Sequence, residues 1–171
     1  MASSYRLMMA AVAALIIFGV GIGLYGYYEA IYPVDKANGY LARAESAQTP
    51  GELANFVRMA KRELPDSGNP VWSFPTAKTD FGLIHRTLDD MIARANSVST
   101  LEPYTTEYNT GMADMHATLK TIQEDLIEAT PYLYVSINNM MFSAVWIAVI
   151  LALFAVMRRG RARYREEYES Q

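Results

Sequence analysis

The stretch MMFSAVWIAVILALFAVM, residues 140–157, carries no charge, and Arg158, Arg159, Arg161, Arg163 and Arg165 follow it at once. A second charge-free run, LMMAAVAALIIFGVGIGLYGYY at residues 7–28, follows Arg6. At about 1.5 Å rise per residue, either run crosses a hydrocarbon core of roughly 30 Å as a helix. The expected fold is therefore an all-α membrane protein, with two transmembrane helices flanking an extracytoplasmic helical bundle of three to four helices. The expected boundaries are 7–28 for the first span and 29–130 for the helical domain. Residues 131–157 form the second span with an interfacial start, and 158–171 a basic cytoplasmic tail.

Charge supports the topology. The middle, residues 29–138, holds fifteen acidic and nine Lys or Arg residues, while the ends hold six Arg and three Glu. The mean hydropathy of +0.02 averages two apolar segments with a polar middle. Arginines beside a span stay on the cytoplasmic side. Both termini are thus expected in the cytoplasm of a two-pass cell-membrane protein. The acidic middle then lies outside, in a periplasm or pseudo-periplasm. The five arginines abut a span, so anionic lipid accounts for them and nucleic acid is not an expected partner.

The chain has no cysteine. This excludes disulfides, thiolate metal sites and a cysteine nucleophile. There is no Asn-x-Ser/Thr sequon either. A domain of about a hundred residues must then be held by apolar packing.

The first apolar run is long and lacks a small-x-small cleavage site, so it reads as an anchor and not as a removed signal peptide. Within it, residues 21–26 spell G-x-G-x-x-G. A dinucleotide site needs that motif between a strand and a helix, which a span does not supply. Gly19, Gly23 and Gly26 instead share one helix face and let another membrane helix approach the backbone. The partner is either the second span or another subunit. Tyr25, Tyr28 and Tyr32 at the end of this span match Tyr132 and Tyr134 at the start of the other, as anchors at one outer interface.

In the middle, residues 33–47 suggest a helix broken at Gly39, with Val34, Ala37, Leu41 and Ala44 as its apolar stripe. Residues 49–64 read as a helix with Thr49 and Glu52 at capping-box spacing and Pro50 at its first position. Residues 65–78 form the one long irregular segment. Its Trp72 and Phe74 either fold back on the helices or face a partner. Residues 79–98 suggest a further helix, with Asp80 near its start. Ser99 and Glu102 have capping-box spacing for the longest helix. Its stripe is Tyr104, Tyr108, Met112, Met115, Leu119, Ile122, Leu126 and Ala129. Thr130-Pro131 suggests a kink or restart.

Little in the sequence suggests chemistry. His85 has Asp89 one turn on, an ordinary surface pair. Met112, Met115 and His116 have ligand types that suit Cu(I), but both methionines fall on the apolar stripe, where a core role is the default. No metal or cofactor is therefore expected, and no catalytic residue. The function expected is that of a non-catalytic accessory or assembly subunit packed against other integral membrane subunits and lipid. Respiratory complexes and copper-dependent membrane monooxygenases are hosts of that kind. An extracytoplasmic sensor or ligand-binding module and a copper-handling protein are the alternatives.

Overall fold

The computed structural model describes residues 2–169, with side chains apart from those of 2–5, 7, 137, 138 and 161–169. The described chain is all-helical. It divides into two units. One contains the terminal helices α1 (Ala2–Gly26) and α6 (Ile137–Glu169), and the other is Tyr27–Ser136.

The central unit opens with a π-helical turn, Tyr27–Ile31, and continues as α2 (Tyr32–Glu45), α3 (Pro50–Glu63), α4 (Phe81–Val98) and α5 (Thr106–Tyr134). Helix α2 is not broken at Gly39, contrary to expectation. A helical Gly costs only about 1 kcal/mol relative to Ala. Burial of Val34, Ala37, Leu41 and Ala44 along one face outweighs it. Helix α3 begins where its capping box places it. The Thr49 hydroxyl accepts from the Glu52 amide at 3.3 Å, and the Glu52 carboxylate accepts from the Gln48 amide at 3.4 Å. It ends because Pro65 forces the preceding residue out of the helical region, and Leu64 is extended with ψ 144°.

The second capping box is a decoy. Ser99 closes α4, and α5 starts only after Thr105, whose hydroxyl accepts from the Tyr108 amide. Tyr104, expected as the first stripe residue, has φ 69° and is 88% exposed. The rest of the stripe is buried from Met112 to Ala129, with Tyr108 packed partly against it. Helix α5 also runs through Pro131, and the break falls at Val135, whose amide donates to the Pro131 carbonyl. One proline removes one amide donor without ending a helix that packs on both sides of it.

Cross-helix pairs fix the topology. Lys36 pairs with Glu63, Lys61 with Asp89, and Arg94 with Asp114, while Gln123 donates to Glu45. They bridge α2 to α3, α3 to α4, α4 to α5, and α5 back to α2. Arg58 reaches Asn96 where Lys61 reaches Asp89, so α3 and α4 are antiparallel. The result is an up-down-up-down four-helix bundle. Each exposed pair contributes little on its own. The apolar interior of Leu41, Leu53, Leu88, Leu119 and Leu126, all 0% exposed, holds the bundle.

This topology has a positional consequence. The chain enters the bundle at Tyr27 and leaves it at Ser136 at the same end. The α3–α4 loop, residues 64–80, lies at that end too, and the α2–α3 and α4–α5 turns lie at the opposite end.

Candidate helix-packing and interface site

Helices α1 and α6 are each long and apolar enough to cross a membrane. Their apolar side chains are largely uncovered. Ile17 is 72% and Phe142 74% exposed. Helix α6 does not stop at the arginines but continues to Glu169, since Arg, Ala and Glu are good helix formers. Arg158 and Arg159 are exposed. The side chains of Arg161, Arg163 and Arg165 lie outside those described.

A specific contact joins the two helices. The Trp146 indole N–H donates to the Leu15 carbonyl at 3.1 Å. That carbonyl is the intrahelical acceptor for Gly19. Side chains on a helix lean toward its N-terminus, so any side chain at 19 would cover this carbonyl. Gly19 leaves it open, and a Cβ there would overlap the Trp146 six-membered ring. An indole N–H in apolar surroundings needs an acceptor, and the glycine notch supplies one. The glycine face is thus divided in its use. Gly19 receives Trp146 from the same chain, whereas a Cβ at Gly23 or Gly26 would have no neighbour within 4 Å. A tryptophan in the middle of an apolar run was the available signal of the Trp146 contact.

Aromatic residues gather where the chain enters the bundle. Tyr27, Tyr28 and Tyr32 form a cluster with ring centroids 5.5 to 6.4 Å apart. Tyr28, Tyr32 and Tyr134 are exposed and Tyr132 is half-buried. On α1, Tyr25 is 68% exposed.

At the same end, the α3–α4 loop is tied at its neck. The Phe81 amide donates to the Gly68 carbonyl at 2.9 Å, with Gly68 at φ 107° where an L side chain is strained. Asn69 Oδ1 accepts from the Val71 amide and from the fully buried Thr79 hydroxyl, and its Nδ2 donates to the Thr76 carbonyl at 2.7 Å. Sequence reading missed this Asn69 network, because its partners are ordinary loop residues. It also mispaired His85. That ring bonds the Pro65 carbonyl at 2.9 Å, while Asp89 is taken by Lys61. Trp72 does fold back, and its indole N–H donates to the Val135 carbonyl at 2.7 Å. It stays 45% exposed, and Phe74 is 83% exposed.

Met112 and Met115 sit in the bundle core at 8% and 1% exposure. His116 Nε2 is buried without a hydrogen-bond partner. Among the described residues, no three His, Cys, Asp or Glu side chains converge as a metal site. Between α4 and α5 runs an open groove of about 540 Å³, lined by Leu83, Ile84, Thr87, Ile122, Lys78 and Asp125 among others. Partial burial raises the Asp125 carboxyl above its ordinary value, against the opposing pull of Lys78.

Comparison with protein families, with curated proteins and with solved structures finds no match for this chain.

Proposed function

We propose that the chain is a two-pass membrane protein with both termini cytoplasmic, and that it serves as a non-catalytic accessory or assembly subunit of a larger membrane complex. The arginines that follow the apolar stretch of α6 and the acidic bundle support that topology. The observation that carries the functional reading is the open space beside Gly23 and Gly26, where an added Cβ would meet nothing within 4 Å. In lipid, helix association depends on close van der Waals approach, and small residues permit it. The chain's own second helix uses Gly19 and leaves the rest of that face for a helix of another subunit. The exposed Leu101 and Tyr104, at the opposite end of the bundle from the chain's entry and exit, offer a further contact for the same partner.

The test is native purification in mild detergent. Co-migration with a large complex supports the reading, and a lone monomer refutes it. Gly23→Leu is expected to lower the yield of the assembled complex while leaving the Trp146 environment unchanged, because no neighbouring atom lies within 4 Å of that position. An unaltered yield counts against the glycine face as the docking surface.

The α4–α5 groove favours a second reading, a ligand-binding module. Asp125 bears on it. A carboxyl raised in the folded state costs no stability below its unfolded pKa and costs progressively more as pH rises through its folded pKa. Asp125→Asn is therefore expected to raise the unfolding free energy slightly at pH 7, by less than about 0.5 kcal/mol. The gain should vanish below about pH 4, where the unfolded carboxyl is also protonated. Denaturant titrations at the two pH values read this directly.

A further inference from the structure

We infer that the α3–α4 loop is a lipid-facing anchor, with Trp72 and Phe74 seated in the headgroup layer beside the bundle's base. This inference rests on the membrane reading above and adds a contact to it.

Three observations carry it. The first is place. An up-down-up-down bundle brings its entry, its exit and its middle connection to one end, and the Trp72 bond to the Val135 carbonyl fixes that geometrically. Val135 lies two residues before the first residue of α6, the helix that would enter the bilayer.

The second is composition. Residues 67–77 carry no charge, and the most exposed side chain among them that is both large and apolar is Phe74. Tryptophan and tyrosine favour the headgroup level, because one part of the ring is apolar and another is polar. Tyr28, Tyr32 and Tyr134 are exposed at the same end of the bundle.

The third is rigidity. The Asn69 bonds and the Gly68–Phe81 closure hold the neck of the loop, so the exposed ring at its tip is presented without a large ordering cost. A loop folded only to cap the bundle would turn Phe74 inward. A membrane surface is the occupant this arrangement fits. A protein partner would have to share the narrow space beside the bilayer.

The chain contains only two tryptophans, Trp72 and Trp146, which makes the test direct. The full chain is reconstituted in phosphatidylcholine vesicles containing lipids brominated either near the headgroup or deep in the chain. Trp72→Phe leaves Trp146 as the sole fluorophore, and Trp146→Phe leaves Trp72. Strong quenching of Trp146 by the deep bromine reports the helices in lipid. Quenching of Trp72 by the shallow bromine, and less by the deep one, is the result expected. Quenched Trp146 with unquenched Trp72 overturns the anchor and leaves the two-pass reading intact, and the loop then faces a protein. Unquenched Trp146 removes the two-pass reading and the anchor with it. Adding Phe74→Asp to the Trp146→Phe chain is expected to abolish the shallow quenching of Trp72. Unchanged quenching there overturns the anchoring role of Phe74.

Discussion

Gly19→Leu should separate the two terminal helices. The glycine is the gap through which Trp146 reaches the Leu15 carbonyl. A leucine there meets the indole ring itself, which is bulky and cannot swing aside without giving up its hydrogen bond. Forcing a side chain into an occupied contact costs about 1–3 kcal/mol. At about 1.4 kcal/mol per factor of ten, the pairing equilibrium shifts roughly five- to a hundredfold. The indole N–H is then left without an acceptor in an apolar setting, which adds to the cost. In a Trp72→Phe background, the emission of Trp146 reports the change directly. The same measurement on Gly23→Leu should show no change. Equal responses from the two variants would mean that Gly19 has no special part in joining the helices.

Leu119→Ala should strongly destabilise the bundle core. Leu119 is 0% exposed and sits midway along the buried face of α5, between Met115 and Ile122. Removing a fully buried leucine side chain costs about 2–5 kcal/mol, through lost transfer energy and the cavity left behind. A domain of this size is stable by about 5–15 kcal/mol in total. No disulfide can compensate, because the chain has no cysteine. Denaturant unfolding of the full chain, followed by helical circular dichroism, should show a large fall in midpoint with an unchanged slope. Ile127→Ala supplies the control. It lies on the same helix but is 60% exposed, and its cost should stay within about 0.5 kcal/mol.

These two sites also show what could be read before the fold was seen. The buried face of α5 follows from spacing, because residues three and four apart stack on one side of a helix. That is why Met112, Met115, Leu119, Ile122, Leu126 and Ala129 were legible as one stripe. Thr49 was legible as a cap because its partner is three residues away. The errors arose where a local pattern competed with a distant demand. Ser99 and Glu102 have the spacing of a cap, but the chain spends residues 99–105 turning back toward α4. His85 and Asp89 are one turn apart, yet Lys61 and the Pro65 carbonyl claim them from another helix and a loop. Gly111 went unnoticed, although a Cβ there would run into Val98 of α4.

The sequence by itself determined the helical class, the two apolar runs, the charge difference between middle and ends, and the inward faces of α2 and α5. All of these depend on spacing or composition within a short stretch, where the physical period of the helix is written directly into residue order. Only the tertiary structure decided which glycine receives Trp146, which end of the bundle holds the aromatic loop, and what ties that loop down. Those facts join residues far apart in the chain, Leu15 with Trp146 and Trp72 with Val135. Such pairings arise from how whole helices pack, and no local pattern encodes them.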